Sequence, residues 1–390
     1  MSINLFEYHL DSPTNNQKVT SALFLVSGWI ISDSINSLEK PTLCNDSYSF
    51  SQPLNTIKRY DVEAVCPDYN VVGFSHYISV LDIPQDESWA IQFLVNNQEC
   101  RFPLSFSVSP HLKKLRHQKI EKLQKIKSYL RCPFCESHNL EILADNLLEC
   151  KDCNSTYPYS QNNYNFLTGD LIKYGNVKPT DNISANEYDP IALDIIQQFP
   201  DGLILDNGSG LRNIYYDNVV NFEVVNYPTT DILGIGEKLP FKSNSFDAVF
   251  SFAVLEHVKN PFECAQEIIR VLKPGGQLYA VVPFLQPFHG YPDHYYNMTS
   301  SGLKNLFANL LDIVECGVPL SGLPIWCLSW FLNSYVRGLP QDVAQKFKDM
   351  KIGDLLESPL KYLEDDFVAK LKQNVNEELA CTNYIVALKK

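Results

Sequence analysis

The sequence predicts a chain of three parts: an N-terminal all-β sandwich, a small four-cysteine ribbon and a C-terminal α/β domain. Short apolar runs alternate with turn residues up to about residue 109, and two Cys-x-x-Cys pairs follow between residues 132 and 153. From about residue 186, buried strands alternate with helical segments. A length of 390 residues is more than one hydrophobic core usually organises, so we expect several domains.

Composition and charge argue against several classes of protein. Hydrophobic residues make up 45% and charged residues 20% of the chain, as in ordinary globular proteins. The net charge of −13 argues against a nucleic-acid partner, because a surface that binds a polyanion is basic. Residues 1–9 lack the pattern of a signal peptide, and the apolar stretch 318–336 is interrupted by proline and glycine. We therefore expect a cytoplasmic protein without a spanning helix.

Residues 1–109 predict an accessory β-sandwich domain. The apolar runs 22–31, 71–78 and 89–95 have the length of strands, lack a helical period and are separated by turn residues. Three motifs stand out in this region, namely Gly28-Trp-Ile-Ile31, Arg59-Tyr-Asp61 and Gly73-Phe74. Together they resemble the accessory sandwich fused to bacterial glycosyltransferases and methyltransferases. The resemblance implies glycan or partner binding, and packing or oligomerisation is an equally supported interpretation.

A basic helix is predicted at 110–130. One stripe recurs at three- and four-residue steps and consists of Leu112, Leu115, Lys119, Leu123, Ile126 and Leu130. The opposite face carries the basic residues Lys113, Lys114, Arg116, Lys122, Lys125 and Lys127. A solvated linker helix is the favoured interpretation, and a helix that binds an anionic membrane or a phosphate is the alternative.

Four cysteines predict a zinc ribbon at 131–168. Cys132-Pro-Phe-Cys135 and Cys150-Lys-Asp-Cys153 have the spacing of two metal-binding knuckles. Each knuckle supplies two corners of a tetrahedron, so we predict one structural Zn²⁺ held by all four sulfurs. A pair of redox-active dithiols is the alternative. With Tyr157-Pro-Tyr159 and Asn165-Phe-Leu167, the segment resembles the small zinc-ribbon protein that partners tRNA and protein methyltransferases.

The α/β region contains acidic residues at the ends of two predicted strands. Strands are predicted at 203–206, 218–223, 245–251 and 277–282. Asp206 ends the first strand and precedes the turn Asn207-Gly-Ser-Gly210, whose glycines let the backbone approach a ligand closely. Glu223 ends the second strand, at a spacing close to that of an acid that binds a ribose diol.

Four motifs then follow in order, namely Leu239-Pro-Phe241, Ser245-Phe-Asp247, Leu255-Glu-His-Val258 and Arg270-Val-Leu-Lys-Pro-Gly-Gly276. This succession resembles the class I S-adenosylmethionine-dependent methyltransferases of the type-11 group. The resemblance covers about residues 200–317. It implies a Rossmann-like, seven-stranded methyltransferase domain over 186–390, with residues 383–388 as the closing antiparallel strand.

The resemblance implies that six positions of this chain correspond to the family's cofactor-binding residues. The resemblance implies that S-adenosylmethionine has its methionine part against Asp206, Gly208 and Gly210. It implies that Glu223 binds the ribose hydroxyls, that Gly236 flanks the adenine and that Ser251 faces the sulfonium.

The chain departs from the family at two places in this site. Leu211-Arg212 stands where many relatives have another glycine, and Ile235 stands where they have an aspartate that binds the adenine amino group. Asp231 is a candidate to replace that aspartate. These departures motivate the alternative of a non-catalytic binding module that keeps the fold.

The segment 283–299 follows the last predicted parallel strand, where α/β sheets bind ligands, and indicates an acceptor pocket. His289 is the first candidate for the base that removes a hydroxyl proton, with Asp293 as the residue that orients it and His294 as the second candidate. Hydrogen bonds that only order the loop are the alternative. The spacing specifies no metal here.

Residues 318–380 form an insertion before the last predicted strand, and its start is apolar and aromatic. A lid over the site is the favoured interpretation, while peripheral membrane contact and a homo-oligomer interface stay open. The leading functional hypothesis is S-adenosylmethionine-dependent O-methylation of a small molecule or glycan. A protein or nucleic-acid methyltransferase is a further alternative, and the net charge counts against it.

Overall fold

The computed structural model describes residues 6–14, 16–19, 23–32, 41–47, 51–79, 88–95, 98–143, 147–159, 163–180, 184, 187–290, 293–383 and 386. The chain divides into two compact units. Unit 1 comprises residues 1–166, 183–234 and 240–242, and unit 2 comprises 167–182, 235–239 and 243–390.

The N-terminal region of unit 1 contains two antiparallel four-stranded sheets, in the orders β1-β3-β7-β6 and β5-β4-β8-β9. The elements are β1 (Phe6–Ser12), β2 (Gln17–Val19), β3 (Leu23–Ser32), β4 (Thr42–Asn45), β5 (Ser51–Pro53), β6 (Thr56–Ile57), α1 (Tyr60–Glu63), β7 (Asn70–Ser79), β8 (Trp89–Val95), β9 (Gln98–Leu104) and β10 (Phe106–Val108). The three predicted strands correspond to β3, β7 and β8. Both sheets contribute to one buried core, which includes Val26, Ile30, Phe74, Leu43, Ile91 and Phe93.

Helix α2 (Pro110–Lys127) is packed into unit 1 through two lysines. Lys119 and Lys122 are only 1% and 4% exposed. The Lys119 ammonium donates to the carbonyl oxygens of Pro228 and Thr230. Of the predicted solvated face, Lys114, Lys125 and Lys127 are exposed, whereas the prediction is wrong for Lys122, whose ammonium is buried in the same unit.

Lys122 forms an ion pair with Asp231, whose side chain is fully buried. Its ammonium lies 3.2 Å from Oδ2 of Asp231, 2.6 Å from the carbonyl oxygen of Val219 and 3.4 Å from the centroid of the Tyr215 ring. These partners replace the water that the ammonium loses on burial, so the pair can exist in the interior.

The ribbon follows as a three-stranded antiparallel sheet in the order β11-β12-β13. Its strands are β11 (Leu140–Leu143), β12 (Leu147–Cys150) and β13 (Thr156–Pro158). The α/β elements of unit 1 are β14 (Tyr164–Asn165), α4 (Pro190–Gln198), β15 (Ile204–Asn207), β16 (Val219–Glu223) and β17 (Ile232–Leu233). Helix α3 (Gly169–Tyr174) lies between β14 and α4 in the sequence and belongs to unit 2. The four strands β14, β17, β16 and β15 are parallel neighbours in that order, as expected for an α/β fold.

Unit 2 contains two further parallel strands and a helical C-terminal part. Its remaining elements are β18 (Phe246–Phe252), α5 (Pro261–Val271), β19 (Leu272–Val281), α6 (Ser300–Phe307), α7 (Pro324–Arg337), α8 (Gln341–Lys348), α9 (Ile352–Leu355), α10 (Asp366–Ala369) and α11 (Gln373–Glu378). Strands β18 and β19 pair in parallel. The predicted closing strand at 383–388 lies mostly outside the described residues. None of the helices in the described part is long and apolar enough to cross a membrane.

Replacing Lys122 with Ala should lower the free energy of unfolding by about 3–5 kcal/mol, because the change leaves the Asp231 carboxylate buried without a cation. The matched control is Lys125→Ala, an exposed position on the same helix, which should change stability by less than about 0.5 kcal/mol. Urea denaturation followed by circular dichroism measures both variants. Equal unfolding midpoints would contradict the structural role of Lys122.

Candidate functional site

The turn after β15 has the backbone conformation expected of a ligand-binding loop. Gly208 and Gly210 have φ values of 81° and 60°, in the left-handed region that favours glycine. A Cβ atom at Gly210 would overlap the carbonyl oxygen of Ser184, so a larger residue is excluded by space as well as by conformation. Glycine is therefore required in this turn, which lies at the carboxyl end of a parallel strand.

Asp206 at the end of β15 is fully buried and uses one carboxylate oxygen for structural contacts. Its Oδ2 accepts from the Tyr188 hydroxyl at 2.5 Å and from Arg212 Nε and Nη2 at 2.9 and 2.7 Å. Its Oδ1 is buried and has no hydrogen-bond partner among the described residues. Burial raises the pKa of Asp206 and the Arg212 guanidinium opposes that shift.

Arg212 was predicted only as a departure from the family's glycine loop. In the structure it is 4% exposed and supplies the cation that compensates the buried Asp206 carboxylate. Where many relatives have a glycine, this chain thus has the arginine that binds Oδ2 of the buried acid.

Glu223 at the end of β16 folds its side chain onto the same turn. Its Oε2 accepts from the amide of Gly210 at 2.7 Å, and Oε1 accepts from the amide of Val224 at 2.7 Å. Burial raises the pKa of Glu223, and these backbone donors lower it. Glu223 is therefore brought against the turn that follows Asp206 in unit 1.

Asp231 is not available to replace the missing adenine-binding aspartate. Its Oδ1 accepts from the Tyr215 hydroxyl at 2.5 Å, and its Oδ2 accepts from the Asn221 amide at 2.9 Å as well as from Lys122. The carboxylate is fully buried and serves the packing of helix α2. The prediction that Asp231 could replace the adenine-binding aspartate is therefore wrong. Its partner Lys122 could not be recognised from the sequence before the fold was known.

The two remaining cofactor candidates belong to unit 2. Gly236 begins a buried single-turn 3-10 helix, Gly236–Lys238. Ser251 lies in β18, and its hydroxyl oxygen is buried without a hydrogen-bond partner among the described residues. An unpartnered buried hydroxyl is the expected state of a group that a ligand contacts.

Three imidazole rings form a cluster in unit 2. The His289 centroid lies 5.3 Å from that of His257 and 4.4 Å from that of His294. Nδ1 of His257 lies 2.9 Å from the carbonyl oxygen of Asp293, and Nδ1 of His289 lies 2.8 Å from that of Pro287. Because a carbonyl only accepts, both Nδ1 atoms carry a proton and, in the neutral rings, both Nε2 atoms keep a lone pair. Burial lowers the pKa of His257, which favours its neutral form.

His294 has no nitrogen left for proton abstraction. Its Nδ1 accepts from the backbone amide of His289 at 3.3 Å, and its Nε2 lies 2.9 Å from Oδ1 of Asn297. The prediction of His294 as the second candidate base is therefore wrong, and its ring instead holds the loop in place.

The Asp293 carboxylate does not contact His289. It accepts from Asn176 Nδ2 at 2.8 Å and from the Tyr295 hydroxyl at 3.2 Å, and it lies 3.5 Å from the Lys178 ammonium. The predicted orienting role is thus corrected, since the carbonyl of Pro287 orients His289 and the backbone of Asp293 orients His257.

Glu256 is a candidate site residue that the sequence reasoning missed. Its side chain is fully buried, and neither carboxylate oxygen has a hydrogen-bond partner among the described residues. Burial raises its pKa to about 8. Its Oε1 lies 3.8 Å from Nε2 of His257. The sequence feature that could have identified Glu256 is its position next to a histidine in Leu255-Glu-His-Val258, a segment that was interpreted only as a family motif.

Helix α7, at the start of the predicted lid, approaches the histidine cluster. The Trp330 ring centroid lies 5.1 Å from that of His289, and the Cys327 thiol donates to the carbonyl of Leu285 at 2.7 Å. Ile325 and Trp326 are each 63% exposed among the described residues. The insertion therefore places the Trp330 ring beside His289.

The four cysteines of the ribbon are brought together by two knuckles with the same local fold. All four sulfurs lie within 4.8 Å of one another. Glu136 and Asn154, which follow the two Cys-x-x-Cys pairs, have φ values of 64° and 59°. The amide of each donates to the carbonyl of the first cysteine of its pair, at 2.9 and 2.8 Å.

Comparison with known proteins finds methyltransferases. Residues 217–280 match the family profile described as a methyltransferase domain. Cycloartenol-C-24-methyltransferase 1 of Oryza sativa is 38% identical over 87 residues, and tRNA U34 carboxymethyltransferase of Desulfotalea psychrophila is 38% identical over 69 residues. These matches cover 22% and 17% of this chain, and the chain spans about a fifth (21%) of the length of each relative.

Among solved structures, a SAM-dependent methyltransferase of Thermotoga maritima is similar with a TM-score of 0.24 and 20% identity, over 30% of this chain and 66% of that one. The profile match covers β16 to β19, which include Glu223 and Ser251. Residues 217–280 match the methyltransferase domain in sequence, and this match supports a Rossmann-like methyltransferase fold for that part of the chain.

Proposed function

We propose that this protein is an S-adenosylmethionine-dependent methyltransferase that acts on a hydroxyl group of a small molecule or glycan. The observation that carries the proposal is Oδ1 of Asp206, which is buried at the glycine turn and has no hydrogen-bond partner among the described residues, in a region whose sequence continues into the methyltransferase match. A buried carboxylate oxygen without a partner is costly unless a ligand pairs with it.

The residues present fit the cofactor. Oδ1 of Asp206 would accept from the α-amino group of the methionine part, while Oδ2 stays on Arg212. Glu223 keeps acceptor capacity for ribose hydroxyls, since each of its oxygens has more than one lone pair. When bound, S-adenosylmethionine supplies an activated methyl group, so the protein's contribution is mainly to position the acceptor.

An alcohol acceptor must lose a proton as it is methylated, and the histidine cluster can serve this step. The Nε2 lone pair of His289 is the group that would act on the hydroxyl. Trp330 beside it would help to exclude water, in line with the lid proposed for the insertion.

The ribbon supports a structural zinc site. A tetrahedral ion with Zn–S bonds of about 2.3 Å places its sulfurs about 3.8 Å apart. The distances of 3.7 Å between Cys132 and Cys153 and 3.5 Å between Cys135 and Cys150 fit this arrangement. All four positions are protein ligands, so the ion would stabilise the ribbon and leave no place for a substrate.

The second candidate is a non-catalytic binding module. The observation that favours it is the structural use of Asp206 Oδ2 by Arg212, together with Ile235 in place of an adenine-binding aspartate. Binding of S-adenosylhomocysteine separates the two, because a module that has lost the cofactor site would not bind it.

Calorimetric titration with S-adenosylhomocysteine should show binding to the wild type and binding about ten- to a hundredfold weaker to Asp206→Asn. The amide can keep Arg212 with its oxygen, but it then presents a donor to the cofactor's ammonium. Asp217→Asn is the control. This substitution removes the same charge, but at an exposed position just before strand β16. Equal affinities of both variants and the wild type would mean that the site is placed wrongly.

Purified protein should contain one zinc ion per chain, and Cys150→Ser should lose it, because three sulfurs hold zinc less well than four. Cys316→Ser, which changes an exposed cysteine outside the ribbon, should retain the ion. Metal analysis by mass spectrometry measures both. Zinc-free wild-type protein prepared without chelator would rule out the site.

His289→Ala should lower kcat by at least about a hundredfold, since a positioned imidazole typically contributes 10²–10⁴-fold. Affinity for S-adenosylhomocysteine should stay within about twofold of wild type, because His289 is not among the residues assigned to the cofactor. The control is His117→Ala, an exposed histidine of helix α2. A screen of nucleotide sugars, quinones and phenols supplies the acceptor, and turnover of His289→Ala within a fewfold of wild type would remove the assignment.

A further inference from the structure

We propose that Glu256, His257 and His289 form a binding site for a divalent transition-metal ion, separate from the ribbon. One ligand atom of each residue lies within 4.8 Å of the other two. Two imidazoles and one carboxylate are a ligand set that binds zinc, iron and manganese ions in proteins and leaves further coordination positions open.

The carboxylate of Glu256 is the first observation that points to a ligand. It is fully buried, and both of its oxygens lack a hydrogen-bond partner among the described residues. Three other carboxylates of the α/β region have such partners: Asp206 contacts Arg212, Asp231 contacts Lys122, and Glu223 accepts from backbone amides. Among these four, Glu256 alone has a carboxylate without a hydrogen-bond partner in the described part of the chain, so a bound cation is the group that its environment lacks.

The orientation of the two imidazoles is the second observation. Metal-binding histidines usually donate their other ring nitrogen to a carbonyl or carboxylate, which fixes the tautomer and aims the lone pair. His257 and His289 both meet this condition, because their Nδ1 atoms face the carbonyl oxygens of Asp293 and Pro287. Both Nε2 atoms are thus left as ligand atoms.

The surrounding backbone holds these side chains in place. Gly290 has a φ of 93°, and a Cβ atom there would overlap the His257 ring, so the loop lies directly against this imidazole. The amide of Tyr295 donates to the carbonyl of Glu256 at 2.7 Å, which ties the same loop to the acidic residue. A zinc ion with bonds of about 2.0–2.2 Å would place its ligand atoms roughly 3–3.5 Å apart, so the 3.8 Å between Glu256 and His257 needs only a small closure.

The proposed ion would also change the proton-transfer step of the proposed methyl transfer. A hydroxyl that binds a divalent cation has a lowered pKa and releases its proton to solvent more readily. His257 and His289 would then act together as ligands instead of His289 acting alone on the proton. This role in acidifying the acceptor rests on the proposed function, whereas the binding of the ion does not.

The test is a calorimetric titration of the full-length protein with ZnCl₂ after its ribbon is saturated with zinc, with metal content measured by mass spectrometry. Wild type should take up a second equivalent. Glu256→Gln and His289→Asn should each bind it at least tenfold more weakly, because each removes a ligand without a large change of volume. Asp293→Asn is the matched control: it removes a charge from the same loop, keeps the carbonyl that faces His257, and should bind within about threefold of wild type.

A Co²⁺ titration gives a second readout, since ions bound by nitrogen and oxygen lack the intense absorption that sulfur ligands produce. No second equivalent in the wild type, or unchanged affinity in both Glu256→Gln and His289→Asn, would overturn the proposal. S-adenosylhomocysteine titrations on the same samples separate the outcomes. Cofactor binding without the second ion would refute the metal site alone, and the ion without cofactor binding would refute the proposed methyl transfer alone.

Discussion

Burying a carboxylate away from water costs several kcal/mol unless a cation or hydrogen-bond donors replace its solvation, and this requirement organises the α/β part of the chain. Asp231 meets it with Lys122, and the pair anchors helix α2 in unit 1. Asp206 meets it with Arg212, and that pair holds the turn at the end of β15. Glu223 meets it with backbone amides of the same turn. The geometry of the proposed cofactor site thus follows from the compensation of buried charge.

Arg212 gives the clearest link between this constraint and function. When only the sequence is considered, the absence of a loop glycine suggests a cofactor site that no longer binds its cofactor. In the structure the arginine binds one oxygen of Asp206, and the other is buried without a hydrogen-bond partner in the described part of the chain. The carboxylate can therefore serve the scaffold and a ligand together, one oxygen for each. Glu256 has no such scaffold partner among the described residues, which is why it points to a cation from outside the chain.

The sequence was sufficient where local patterns decide the structure. The strands β3, β7 and β8 follow from apolar runs, and the cysteine knuckles follow from their spacing. Residues whose roles depend on distant partners could not be predicted. Lys122 was assigned to a solvated face because its partner Asp231 is 109 positions away. His294 was a candidate base because its two hydrogen bonds within the loop leave no trace in the sequence.

The most direct test of this account is a crystal structure of the protein with S-adenosylhomocysteine. We expect the α-amino nitrogen of the ligand at about 2.7–3.2 Å from Oδ1 of Asp206, with Arg212 still bound to Oδ2. We also expect the ribose hydroxyls to contact Glu223. A ligand bound without contact to Asp206, or with Arg212 displaced from the carboxylate, would contradict the division of this acid between scaffold and cofactor.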